Sequence, residues 1–257
     1  MSRDKNLPAA PLPEVNFSDH GGVRFLHLGT EWVQGSMLSD APYDIQLEYV
    51  QRMMAGLLFA DLSSATPLAK QHAMQLGLGS AALTKFCYKK LRMKTTAIEI
   101  NPQVVIACRL WFKLPRDDLR LQVIEADAAA EIRKPQHHGS VDLLHVDLYD
   151  HEAAAPVLDS AEFYDDCKRL LSDEGVMTVN LFGRDSSYPR SLARIAEAFG
   201  REAVWAFTPT REGNTVVLAQ RTPTRPDRTA LLQQADAIES QWGLPARKWL
   251  RLFKPVF

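Results

Sequence analysis

Apolar residues recur along this chain at two different spacings. Ile45, Leu47, Val50, Met53, Met54, Leu57 and Leu58 follow a helical spacing over residues 44–59, with Pro42 just before them as a start signal. Residues 23–29 alternate like a strand and are followed, after a Gly-Thr turn, by 31–37, which predicts a small β-hairpin. Beyond that, short apolar runs at 73–76, 95–100, 119–124, 141–147 and 176–182 alternate with helical patterns at 83–91, 102–114, 163–171 and 191–199. The run at 141–147 is the most apolar and reads as a central strand covered on both faces. Asn101-Pro102 supplies a helix cap with proline in the first turn. Residues 203–208 and 214–220, joined by Pro209-Thr210-Arg211-Glu212-Gly213, read as a closing antiparallel hairpin, and 231–242 as an appended helix ending at Gly243. This alternation predicts an α/β fold, a Rossmann-like doubly wound, mostly parallel sheet. The expected divisions are a mobile N-terminal arm (1–22), the hairpin (23–40), a nucleoside-binding catalytic domain (41–221), and a C-terminal linker with its helix (222–257).

Candidate chemistry gathers where strands give way to helices. Gly77 and Gly79 lie between an apolar strand and a helical run, and so tight a turn lets a ligand lie against backbone amides at a helix N-terminus. Glu99 follows Gly77 by 22 residues, at the end of the next strand, where a carboxylate accepts both hydroxyls of a ribose. Asp127 sits in a small-residue turn and reads as a turn former or as a contact to an adenine amino group. Asp147 and Asp150 end the most apolar strand, on the side where open α/β sheets bind ligands; capping the following helix is the other reading of Asp147.

Composition narrows the choice. The 257 residues carry a formal charge of -1 and no block of like charges, which points to small molecules rather than nucleic acid. The three cysteines, Cys87, Cys108 and Cys167, have neither zinc nor disulfide spacing and read as buried thiols of a cytoplasmic protein. No apolar run suggests a membrane span, and residues 1–15 lack the apolar segment of a signal peptide. His137-His138 reads as a solvated loop rather than a metal site, and His145 as a core histidine. Trp32 and Trp242 read as packing residues, and the basic positions between Arg247 and Lys254 as a solvated face.

These residues together resemble the spermidine synthase-like family, the polyamine aminopropyltransferases, in their short bacterial form on the class I S-adenosylmethionine-dependent methyltransferase fold. The likeness runs over residues 23–221 and rests on Gln34-Gly35, Gln51-Arg52-Met53-Met54, the glycine turn, Glu99-Ile100-Asn101-Pro102, Asp127, and Asp147 through Asp150. It implies that Glu99 holds the ribose and Asp127 the adenine, and that Gln34 and Gln51 border the sulfonium and amine sites. It further implies that Asp147 is the base beside the attacking amine, with Asp150 its acidic neighbour; Tyr149, between them, reads either as lining the amine pocket or as packing beside it. The co-substrate would be decarboxylated S-adenosylmethionine, the acceptor a polyamine such as putrescine, the assembly a homodimer, and no metal would take part. The chain departs from the pattern at several positions. Ser80 stands where the family has the Asp that meets the donor's aminopropyl end, Val50 where it has Tyr, Leu148-Tyr149 where it has Ser-Ser, and His151 where it has Pro. The loss of charge at Ser80 leaves two alternatives open: a methyl or other alkyl transferase using S-adenosylmethionine itself, or a catalytically silent nucleoside-binding protein.

Overall fold

The computed structural model describes residues 12–60, 62, 68–148, 158–182 and 187–257. The first described element is a three-stranded antiparallel sheet, β1 (Val15–His20), β2 (Val23–Leu28) and β3 (Gly35–Leu38). α1 (Glu48–Met53) and a 3-10 turn (Met54–Leu58) lead into the main sheet. There follow β4 (His72–Leu76), α2 (Ala82–Lys89), β5 (Lys94–Glu99), α3 (Pro102–Trp111), β6 (Leu121–Glu125), α4 (Ala128–Glu131) and β7 (Val141–Val146). α5 (Ala161–Leu170), β8 (Leu171–Phe182), α6 (Ser187–Phe199), β9 (Val204–Phe207) and β10 (Asn214–Gln220) continue the fold, and α7 (Arg228–Trp242), α8 (Ala246–Leu252) and β11 (Phe253–Pro255) end it.

The eight strands of the main sheet lie in the order β11-β9-β10-β8-β7-β4-β5-β6. β4 to β8 are parallel, while β10, β9 and β11 add antiparallel on one side. Side chains of a strand alternate between faces, and the core divides accordingly. On β10, Val216 and Leu218 join the body built with α1, α2, α7 and α8, whereas Val217 and Ala219 join the one built with α5 and α6. Both faces of the sheet are therefore covered, as the unbroken apolar character of these strands requires. No helix among the described residues is long and apolar enough to cross a membrane.

Three features differ from the sequence reading. Val15–His20, expected within a mobile arm, is a strand, so the N-terminal hairpin is a three-stranded sheet. Its anchor is local rather than a buried face: Phe17 lies 5.2 Å from the ring of Trp111, and Arg24 sits over Phe17 while donating to the Trp111 carbonyl. The segment after α7, expected only as a solvated basic face, adds α8 and an edge strand while keeping Arg247, Lys248, Arg251 and Lys254 exposed. His137 is buried and bonds to Glu131 instead of facing solvent. His145 is a core residue as expected, held at Nδ1 by Thr178, and burial lowers its pKa to about 4.

The N-terminal sheet meets the main sheet through the glycine turn. Ser80 is buried and its hydroxyl donates to the Ser36 carbonyl at 2.9 Å. Gly35 makes this approach feasible, because a Cβ there would stand 2.6 Å from the Ser80 hydroxyl and 2.8 Å from its backbone nitrogen. Gly35→Ala is accordingly expected to lower the unfolding free energy by about 1–3 kcal/mol, the usual cost of overpacking. Urea denaturation checks this, with part of the loss recovered in the Gly35→Ala, Ser80→Gly double variant.

Candidate active site

The carboxyl ends of the central strands open on a cleft of about 630 Å³, walled on the far side by residues of the N-terminal sheet and α1. Gly77 and Gly79 form its floor, with φ of +83° and +50° that favour glycine. A side chain at Gly77 would overlap the Asp147 carbonyl oxygen. The turn is braced from below by Gln75, whose side-chain oxygen accepts both the N–H and the hydroxyl of Thr84 at the start of α2.

Glu99 ends β5 with each carboxylate oxygen fixed by a backbone amide: Leu78 N–H donates to Oε2 and Asn101 N–H to Oε1, both at 2.8 Å. Burial raises its pKa, and the amides of Leu78, Asn101 and Ile100 oppose the shift. The carboxylate, an acceptor only, is held rigidly at the cleft, where it can meet hydroxyl donors. Asp127 caps α4 by accepting from Ala130 N–H at 2.8 Å, and it also lines the cleft. Turn forming and cleft lining thus coexist in one side chain.

Asp147 follows β7 beside Asn180 of β8, as the pairing of Val146 with Val179 dictates. Its Oδ1 accepts from the Asn180 amide at 2.9 Å, and its Oδ2 lies 3.4 Å from the Tyr49 hydroxyl of α1. Desolvation raises its carboxyl above the usual aspartate range, and the bonds from Asn180 and Tyr49 pull the other way. On α1 the neighbouring Glu48 is paired with Arg52, which is itself buried against Phe207 and donates to the Thr208 carbonyl.

Of the residues singled out in the sequence, the fold brings Gln34, Gly77, Gly79, Glu99, Asp127 and Asp147 to this cleft. Ser80 does not line it, being committed to Ser36. Gln51 is also absent from the lining, since its amide donates to the Ile45 carbonyl at 2.8 Å. Tyr149 and Asp150 lie outside the described residues. Trp32, expected to pack, is 60% exposed and forms part of the cleft wall. Tyr49, Asn180, Glu212 and Asn214 line it without having been singled out. A polar residue near the carboxyl end of an apolar strand, as in Val179-Asn180-Leu181, was the available signal for one of them. The described lining contains six carboxylates, from Glu31, Glu48, Glu99, Asp127, Asp147 and Glu212, and no lysine or arginine.

A carboxyl whose pKa is raised on folding favours the folded state below its unfolded pKa and loses that contribution as pH rises through the folded value. Ionised Asp147 therefore costs stability at neutral pH. Asp147→Asn keeps an acceptor for Asn180 and removes the charge, so it is expected to raise the melting temperature at pH 7. The gain should shrink toward pH 4; melting curves at the two pH values check it.

No protein-family model matches the chain. The fold resembles the crystal structure of a probable spermidine synthase from Corynebacterium glutamicum, with a TM-score of 0.73 at 20% identity over 97% of this chain and 91% of that one. It also resembles human methyltransferase-like protein 13, solved in complex with SAH, with a TM-score of 0.69 at 23% identity over 77% of this chain and 93% of that one. At such identities these likenesses establish the methyltransferase-type fold. The sequence goes further: it is 33% identical over 245 residues to the polyamine aminopropyltransferase of Chromobacterium violaceum, covering 95% of this chain and 90% of that protein. One residue in three is shared along nearly the full length of both chains, and the protein belongs to the polyamine aminopropyltransferase family.

Proposed function

We propose that this cleft transfers an aminopropyl group from decarboxylated S-adenosylmethionine to a primary amine such as putrescine and releases methylthioadenosine. The observation that carries the reading is the charge of the described lining, six carboxylates without a lysine or arginine. Both proposed reactants are cations, a sulfonium with an ammonium tail and a polyamine, and neither carries an anion that would need a basic partner. Ordinary S-adenosylmethionine adds a carboxylate for which the described lining residues offer no lysine or arginine, which favours the decarboxylated donor despite the serine at position 80. With Ser80 bound to Ser36, the donor's ammonium depends on other acids of the cleft.

In this reading Glu99 accepts the ribose hydroxyls and Asp127 the adenine amino group, with Gly77 and Gly79 leaving room for the nucleoside against the backbone. Asp147 attracts the acceptor's ammonium and takes one proton from it. The freed lone pair attacks the aminopropyl carbon next to sulfur as the carbon-sulfur bond breaks, and the bonding pair leaves with sulfur as a neutral thioether. A carboxyl raised by desolvation is a stronger base for this proton than an exposed aspartate, and its fixed geometry aims the nitrogen.

The first measurement is methylthioadenosine release with putrescine, comparing decarboxylated and ordinary S-adenosylmethionine. Release only with the decarboxylated donor and amine is expected. Transfer of a methyl group from ordinary S-adenosylmethionine, or nucleoside binding without release from either donor, would replace this reading with one of its alternatives. Asp147→Asn should reduce turnover by about 100-fold or more while sparing nucleoside binding, the scale of a lost general base. Glu99→Gln should instead weaken nucleoside affinity by about 10- to 100-fold, as expected when a hydrogen bond to a charged group is lost. Calorimetric titration with methylthioadenosine separates the two effects.

A further inference from the structure

An ionised carboxylate has only acceptors to offer, so an amide that meets it must present its NH2 group. Asn180 does so toward Oδ1 of Asp147, which directs its own oxygen to the other side, where it needs a donor. Asn214 supplies one: its Nδ2 donates to the Asn180 oxygen at 3.1 Å. The two residues stand on neighbouring antiparallel strands, with Asn180 opposite Val216 and Asn214 opposite Phe182, so their side chains meet diagonally. Both are enclosed, at 4% and 9% exposure. The backbone of Asn214 is fixed in turn, its N–H donating to the Thr210 hydroxyl and its carbonyl accepting from Thr210 N–H at 2.8 Å.

Asn214 reinforces the orientation that the carboxylate demands of Asn180. Half a turn about the last side-chain bond exchanges oxygen and nitrogen with little change of shape. In the flipped state the Asn180 oxygen would oppose the carboxylate, while its NH2 would face that of Asn214. With Asn214 in place, only the orientation that donates to Asp147 satisfies both ends.

We propose that Asn214 is a positioning residue that acts through Asn180 to hold Asp147 with Oδ1 engaged and Oδ2 presented to the acceptor amine. This rests on the reading of Asp147 as the amine-facing base. Among the described residues, the ionisable groups that share the cleft are Tyr49 and Glu48 of α1, Glu212 of the β9–β10 connection, Glu99 of β5, Asp127 and Glu31. On β8 and β10 the neighbours lining the cleft are the two amides.

The test uses the full chain with Asn180→Leu, Asn214→Leu and both together; alanine replaces leucine in any variant that does not fold. The Asp147 carboxyl is titrated by 13C NMR of aspartate-labelled protein, with Asp147→Asn for assignment. Turnover is followed as putrescine-dependent methylthioadenosine release from decarboxylated S-adenosylmethionine. Each single variant should move the Asp147 midpoint upward, because each weakens donation to the ionised form. Turnover should fall about 10-fold for Asn214→Leu and about 100-fold for Asn180→Leu, the range for hydrogen bonds to a charged group, with KM for the donor within about twofold. The double variant should be no worse than Asn180→Leu alone, since the outer residue acts only through the inner one. An unmoved midpoint in Asn214→Leu, or losses that multiply in the double variant, would overturn the proposal. Shifted midpoints in a protein whose wild type releases no methylthioadenosine would leave the relay standing and remove the aminopropyl reading.

Discussion

The position of the first glycine of the turn against the end of β7 is set by a missing side chain. Gly77 N–H donates to the Ile98 carbonyl and Asp147 N–H to the Leu76 carbonyl, so the two strand ends continue the ladder just beyond the sheet. At Gly77 any side chain would strike the Asp147 carbonyl, and with glycine there the floor of the cleft and Asp147 become adjacent backbone. The rest of the cleft follows. Leu78, the next residue, points its amide at Glu99, and Ser80 draws in the N-terminal sheet that forms the opposite wall.

The electrostatics of the cleft are local. A chain with a formal charge of -1 places six acids around one described cavity, and they differ in how each is held. Glu99 is fixed by backbone amides, Asp127 by the start of a short helix, and Glu48 by a buried arginine. Asp147 is held by neutral amide and hydroxyl groups. Neutral partners orient a carboxylate without cancelling its charge, the condition a base needs if it is also to attract a cation.

The parts of this arrangement that were legible in the sequence depend on local pattern. Strands buried on both faces are unbroken apolar runs, glycines mark the turn, and Glu99 follows at a fixed distance because one helix and one strand have typical lengths. What was not legible depends on register and on weakly patterned elements. β1 faces solvent along most of its length and is held by Phe17 and Arg24 rather than by an apolar face. β11 has only three residues, too few to carry a period. Ser80 and Gln51 are polar residues near the site whose partners, Ser36 and Ile45, are backbone groups that no spacing rule identifies. Asn180 and Asn214 become partners only when the pairing of β8 with β10 is known.

The sheet order has a consequence for how the protein is made. β4 forms its ladder with β5 on one side and with β7 on the other, although β6 lies between β5 and β7 in the chain. A chain leaving the ribosome completes β4, β5 and β6 first and leaves the apolar edge of β4 without its partner until residue 146 has been synthesised. Closing that gap carries the loop entropy of a long connection, and an open apolar strand edge is a template for pairing with another chain. During that interval Gly77 has no β7 to rest against. The ligand floor therefore cannot be completed before β7 is in place, and a nascent chain halted before β7 exposes an apolar strand edge open to pairing with another chain.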